Sequence, residues 1–391
     1  MGRIKLIQLG KYYYPVPGGM ETHLYDTCNQ LKHKYDVEVL VANTQPRTVV
    51  QYVAGVRVQR MANLGEVFSS PICPTLPNHL VKSNGNPAGL IQLHLPNPMA
   101  HISYLLARPQ GRLIVTWHSD IIKQKWLSKV YRTQLYHLLE RADCIVATSP
   151  NYINHSPFLN KYEHKCAVVP LGIRVEKFRA SYEVNRKASL IRQRYDRPII
   201  LFVGRLTYYK GLDVLLESAD RIPAKFLLIG TGPLQQKVQR LVDQNGLADK
   251  IFLLHNVTDD DLVSYYHACD LAVLPSNERS EAFGIVQLEA MTCGKPVVST
   301  NLTTGVPWVN RHGETGLVVP VNDPAKLAEA INYLLKNERE RIRLGENGQR
   351  RVERHFTLEK VTQKLEQVYH QVLNGGMRYN DVPEMNKTIA S

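Results

Sequence analysis

The stretch LGIRVEKFRASYEVNRKASLIRQRYDRP, residues 171–198, separates two passages written in the same pattern. Before it, short apolar runs rich in β-branched residues alternate with helical patterns. The runs are KLIQLG, VEVLVAN, GVRVQRM, GLIQLHLP, RLIVTWH, CIVATSP and KCAVVP, and helices are expected over Glu21–Lys32 and Ile121–Glu140. After it the pattern restarts with IILFVGRL and continues through KFLLIGTG, IFLLHNV, LAVLPS, KPVVST and GLVVP. Strands that alternate with helices build parallel, doubly wound sheets. The polar segment from Arg174 to Arg197 is the expected connector, and the fold class is α/β with two doubly wound domains and a cleft between them. From Ala325 onward the sequence is helical, without a further strand.

Composition narrows the class. A chain of 391 residues with 44% hydrophobic content is long enough for two cores and too apolar for disorder. Its six cysteines include no C-x-x-C pair, which argues against a zinc site or a disulfide framework and fits a reducing, cytoplasmic compartment. No run approaches the roughly 18–20 apolar residues of a membrane-spanning helix. The apolar run near the N-terminus is too short and too charged for a signal peptide and reads as a first strand.

Charge is unevenly spread. Residues 1–190 hold 23 Lys and Arg against 11 Asp and Glu, whereas residues 191–391 hold 25 against 24. A basic first half suits an anionic partner such as nucleic acid, acidic lipid or a phosphorylated substrate, or simply a soluble surface. No nucleic-acid recognition motif accompanies it. Lys123, Lys125, Lys129 and Arg132, beside Trp126 and Tyr131, give a basic aromatic helix that suits either a membrane surface or a solvated face.

Ligands of open α/β sheets bind beyond the carboxyl ends of the strands, so the residues there carry the chemistry. Gly18 and Gly19 precede the first helix, where backbone can approach a ligand or merely turn. TWHSD ends a strand with His118 and Asp120; the histidine faces a ligand or bonds to backbone at the core edge. FVGRLTYYKG places Gly204 and Arg205 at a strand end and Lys210 at the next helix start. Two cations beside a helix N-terminus form an anion site, and their spacing suits a diphosphate better than a carboxylate. LIGTGP sets Gly230 and Gly232 at the following strand end, where backbone can meet a flat ligand.

EAFGIVQLE, residues 281–289, spaces Glu281 and Glu289 about 12 Å apart at full helical rise. That exceeds the roughly 5–9.5 Å of a glycosidase carboxylate pair. Two acceptors for separate hydroxyl groups fit better, one per sugar ring, and carboxylates that grip ribose hydroxyls are a known device of nucleotide sites. Ile285, Leu288 and Met291 supply the buried stripe of that helix. Asp259, Asp260 and Asp261 carry magnesium-binding chemistry in principle, but at a helix start they read as caps.

Taken together, GRLTYYKG, EAFGIVQLEAMTCGKPVVST and HGETGLVVPVNDPAKLAEAI, with PVPGGMETH and WHSD upstream, resemble the retaining glycosyltransferases of family 4 over residues 1–373. EAFGIVQLE matches that family's E-x7-E motif. The resemblance implies the GT-B fold of two facing Rossmann-like domains, here residues 1–180 and 181–355, a helix over 356–373 packing back on the first domain, and a tail at 374–391. It implies catalytic roles for His118, Arg205, Lys210 and Glu281. Donor binding is implied at Gly18, Gly19, Gly204, Gly230, Phe283, Gly284, Ile285 and Glu289.

In that scheme Arg205 and Lys210 hold the donor's diphosphate in place of a metal ion, and no cofactor is expected. Glu281 holds sugar hydroxyls, Glu289 holds the ribose, and His118 contacts the sugar's distal hydroxyl. The implied partners are a nucleotide sugar and a lipid-diphosphate-linked or saccharide acceptor, met at the inner face of an anionic plasma membrane. Mannose from GDP-mannose is the first expectation. A UDP-sugar transferase, a sugar-nucleotide epimerase and a non-catalytic nucleotide-sugar binder share the scaffold. His255-Asn256 stand where the family often has a glycine, which bears on the choice of base.

Overall fold

Most strands of both halves are near-continuous apolar runs because they are buried on both faces of a parallel sheet. The computed structural model describes residues 2–67, 70–82, 89–120, 128–196 and 198–375. Lys123, Lys125 and Trp126 of the expected basic helix and the tail from residue 376 lie outside them. The chain divides into two units, Met1–Gly172 with Leu358–Ser391, and Ile173–Thr357.

In the first unit the strands in chain order are β1 (Lys5–Leu9), β2 (Asp36–Ala42), β3 (Val49–Val53), β4 (Val56–Met61), the short pair β5 (Glu66–Val67) and β6 (Ser70–Pro71), β7 (Leu90–Leu95), β8 (Arg112–Trp117), β9 (Cys144–Ala147) and β10 (Cys166–Val168). The main sheet runs β10-β9-β8-β7-β1-β2-β4-β3 and is parallel except for β3. The sequence pattern does not show β3. It is an edge strand whose hairpin with β4 turns on Ala54 and Gly55, both at positive φ (48° and 82°), as tight two-residue hairpins require.

One core joins the sheet to two helices. The helix Gly19–Leu31 buries Leu24, Cys28 and Leu31, and the helix Leu358–Leu373 buries Val361, Leu365, Val368, Tyr369 and Val372 in the same cluster. Spacings of three and four residues put each set on one helix face. The end of the chain therefore closes the core begun by its first strand.

The second unit contains β11 (Ile199–Val203), β12 (Lys225–Ile229), β13 (Ile251–Leu254), β14 (Leu271–Leu274), β15 (Val297–Thr300) and β16 (Gly316–Val319), in the order β13-β12-β11-β14-β15-β16, all parallel. This is the 3-2-1-4-5-6 order of a dinucleotide-binding sheet. The segment expected as a connector is instead built into this unit: it holds the helix Tyr182–Tyr195, capped where Ser181 Oγ accepts from the Val184 amide at 3.2 Å. Its many charges are one solvated helix face, while Ala188 and Tyr195 are buried. Lys187 pairs with Asp261 at 2.6 Å, tying this helix to Asp259–Ala268.

The cap of that second helix is Thr258, whose hydroxyl accepts from the Asp261 amide at 3.1 Å; the three aspartates occupy the first turn rather than the cap position. There they meet the positive end of the helix dipole. Among the described residues, no helix is long and apolar enough to cross a bilayer.

Leu365 is 3% exposed in the core that the last helix completes. Leu365→Ala is expected to cost about 2–5 kcal/mol, read as a lower urea midpoint; an unchanged midpoint would mean that this helix contributes little to the first unit.

Candidate functional site

In the second unit the strand order reverses between β11 and β14, and the segments that follow these two strands carry the charged residues. After β11 come Gly204 and the exposed Arg205, then a single 3-10 turn over Tyr208–Lys210, then the helix Leu212–Ala219. After β14 come Ser276 and Glu281, then the helix Ile285–Thr292.

Lys210 and Glu281 are both buried, with Nζ 2.6 Å from Oε2. Ser276 Oγ donates to the same carboxylate oxygen at 2.9 Å. Burial works against the ammonium charge, but the Glu281 carboxylate more than offsets it and holds Lys210 above the ordinary lysine range. The site thus contains a fixed cation whose counter-charge is a carboxylate hydrogen-bonded on the same oxygen. Gly204 leaves it room, since a Cβ there would sit 3.2 Å from Lys210 Nζ.

Glu289 lies within the helix and Glu281 before it. The half-buried Glu289 carboxylate accepts from Tyr266 Oη at 2.6 Å. Burial raises its pKa above the ordinary carboxylate range, against the opposing pull of that hydrogen bond. Gly284, at φ 72°, is the helix N-cap in the left-handed region, and a Cβ there would meet Leu274 at 2.5 Å. Ile285 is the half-buried first helical residue, and its amide, like its neighbour's, has no intrahelical partner.

Phe283 turns its ring into the core, 6.3 Å from Trp308 and 6.2 Å from Phe356 between centroids, so only its backbone is offered. The space beside Gly230 is filled by Gly204, whose carbonyl oxygen would lie 2.1 Å from a Cβ at 230. The structure therefore gives Gly230 a packing role between two strand ends.

In the first unit the reversal falls between β1 and β7. Gly18 caps the helix Gly19–Leu31, and a Cβ on it would lie 2.1 Å from the Glu21 carboxylate; beside Gly19 there is open space. Burial raises the pKa of Glu21.

His118 follows β8, its amide bonded to the Leu95 carbonyl at 2.9 Å. Its Nε2 lies 2.9 Å from His94 Nδ1, and His94 Nε2 lies 2.8 Å from Gln8 Oε1. His23 sets its ring edge-on to His118 at 5.8 Å. Burial lowers all three imidazoles, His94 to about 3, His23 to about 4, and His118 well below its ordinary value. Asp120 has a structural place: its Oδ1 accepts from Trp117 Nε1 at 3.1 Å and from Ser156 Oγ at 2.8 Å.

Sequence reasoning missed Ser276, Tyr266, Gln8, Gln92 and His94. A signal existed for the last three, polar residues inside runs that are otherwise apolar and buried on both faces. Ser276 closes the LAVLPS run, but nothing local ties it to a glutamate five residues on.

The comparisons with known proteins agree over nearly the whole chain. Residues 17–177 match the family described as Glycosyltransferase Family 4, and residues 184–351 match Glycosyl transferases group 1. The O-antigen chain mannosyltransferase C of Escherichia coli is 34% identical over 95% of this chain and 99% of its own length. The chain belongs to glycosyltransferase family 4. It is therefore an enzyme of the glycosyltransferase class.

A second relative in the family, the D-rhamnosyltransferase WbpZ of Pseudomonas aeruginosa, is 32% identical over 88% of this chain and 90% of its own. Among solved structures, sucrose-phosphate synthase from Thermosynechococcus elongatus matches with a TM-score of 0.79, 23% identity and coverage of 96% of this chain and all of that one. Anabaena HepE in complex with UDP matches with a TM-score of 0.76 at 19% identity, over 94% of this chain and all of that one. The two Rossmann-like sheets are those of a GT-B glycosyltransferase.

Two outcomes follow for this family member. Lys210→Met strands Glu281 as an unpaired buried carboxylate, which is expected to cost about 3–5 kcal/mol; adding Glu281→Gln should recover most of the loss in chemical unfolding, and no recovery would uncouple the pair.

The histidines predict acid lability. Unfolded imidazoles take up a proton near pH 6.5 while the folded ones resist until about 3–4. Stability should therefore fall as the pH drops from about 6.5 toward 4, by up to about 1.4 kcal/mol per pH unit for each ring. A urea midpoint that is flat from pH 7 to 5 would show the rings charged in the fold.

Proposed function

We propose that the protein transfers a hexose, mannose from GDP-mannose in the first instance, with retention at the anomeric carbon, to a lipid-diphosphate-linked or saccharide acceptor in the assembly of cell-surface polysaccharide or lipopolysaccharide. The observation that carries this is the buried Lys210–Glu281 pair at a strand-order reversal, with Arg205 at the same strand end. A preformed cation costs no reorganisation when negative charge develops on the departing diphosphate, and such preorganisation is the largest lever an enzyme has on a dissociating anion.

In this reading Arg205 and Lys210 hold the diphosphate. Glu281, already oriented by Ser276, accepts from sugar hydroxyls. Glu289, oriented by Tyr266, accepts from the ribose, and the free amides at Gly284 and Ile285 lie beside the donor. Gly18 and Gly19 border the phosphates or the acceptor, and His118 meets the distal hydroxyl of the sugar. Positioning and charge stabilisation supply the rate without a side-chain nucleophile. The mannosyl and D-rhamnosyl activities named for the two relatives support the sugar class. The basic first half supports an acceptor at the cytoplasmic face of an anionic membrane.

Thermal stabilisation by GDP-, UDP- and ADP-sugars, compared side by side, tests the donor. GDP forms should stabilise selectively, and Glu289→Ala should abolish the effect; stabilisation by UDP forms alone would replace the proposed base. Lys210→Ala should lower turnover by about 10²–10³-fold, and full activity would remove it from the mechanism. D-rhamnose is mannose without its 6-hydroxyl, so contact at His118 should favour GDP-mannose over GDP-D-rhamnose. The reverse preference would take that hydroxyl away from His118.

A further inference from the structure

Behind His118 lies a buried chain of neutral polar groups whose hydrogens all point one way. The register sets Gln8 of β1 opposite Gln92 of β7, and His94 opposite Thr116 of β8. With a side-chain period of two, Gln92 and His94 share a face. Gln8 Nε2 donates to Gln92 Oε1 at 2.9 Å and to Tyr369 Oη at 3.3 Å. Gln92 Nε2 donates to Thr116 Oγ1 at 2.6 Å, and Tyr369, from the last helix, donates to Gln92 Oε1.

Both hydrogens of the Gln8 amide are therefore engaged there, and its Oε1 can only accept. The partner at 2.8 Å, His94 Nε2, must carry a hydrogen. A neutral imidazole has one hydrogen, so His94 Nδ1 is a lone pair. The 2.9 Å contact to His118 Nε2 then requires the hydrogen to be on His118. His118 is neutral as well, so its Nδ1 is a bare acceptor, and among the described residues no hydrogen bond reaches it.

We propose that His94 is a positioning residue that fixes His118 in its Nε2–H tautomer, so that His118 offers Nδ1 as a hydrogen-bond acceptor to a substrate hydroxyl. The proposal rests on the reading of His118 as a substrate contact and deepens it. The two rings lie nearly parallel, 17° apart with centroids at 5.2 Å, so His94 also fixes the orientation of its neighbour. A hydroxyl donating to His118 would extend a chain that continues through His94, Gln8 and Gln92 to Thr116. Bonds aligned in this sense polarise one another.

The test uses the full chain labelled with 15N-histidine. Long-range nitrogen–proton spectra should show His118 and His94 protonated at Nε2 and bare at Nδ1, and a hydrogen on His118 Nδ1 would overturn the proposal without any variant. With GDP-mannose as the probe and membrane lipid as acceptor, His94→Leu should lose the fixed tautomer. It should also lower kcat roughly tenfold, the worth of one hydrogen bond. His94→Asn, whose Oδ1 can replace the Nδ1 lone pair, should restore both. If His94→Leu keeps full turnover while His118→Ala is impaired, His94 has no such role. If both variants keep full turnover, the underlying reading of His118 fails.

Discussion

A buried ion pair is a demand on everything around it. Two charges removed from water are tolerated only when they face each other closely and their remaining bonds are made. Lys210 and Glu281 come from the segments after β11 and β14, so their 2.6 Å contact draws together the two places where the strand order turns back. Ser276 completes the carboxylate, Gly204 makes room for the lysine, and Gly230 lets the neighbouring strand end close on Gly204. The small residues there follow from the charge they surround.

The first unit meets the same topological problem with opposite electrostatics. At its own reversal, between β1 and β7, burial keeps the imidazoles of His94 and His118 neutral. A fixed cation suits an anionic leaving group, whereas oriented lone pairs suit hydroxyls. The chain keeps the two kinds of group in separate sheets.

Much of this was legible in the sequence. Six of the six strands of the second sheet, and most of the buried strands of the first sheet, stand out as apolar runs because two-sided burial leaves little polar alternation. The edge strand β3 was not legible, since half-buried Val49–Val53 lacks that signature and its hairpin rests on Ala54 at positive φ. The helix Tyr182–Tyr195 was hidden by its charge, because only Ala188 and Tyr195 mark its inner face. At the candidate site, Arg205, Lys210, Glu281 and Glu289 stand out in the sequence by strand-end position and spacing. Their supports could not, because Tyr266 reaches Glu289 across 23 residues and Gln8 reaches His94 across 86. Such contacts are made by topology and leave no local pattern.

The helix Leu358–Leu373 belongs to the core that Lys5–Leu9 begins, with the whole of Ile173–Thr357 intervening. On the ribosome, where domains fold as they emerge, the second unit can therefore finish before the first. The older half of the chain must wait, with a gap in its core, until the final turns are synthesised. Loss of residues 358–373 by premature termination would leave the second unit intact and the first unit open, its apolar floor exposed to quality control. The fold thereby makes synthesis of the helix Leu358–Leu373 a condition for completing the N-terminal half.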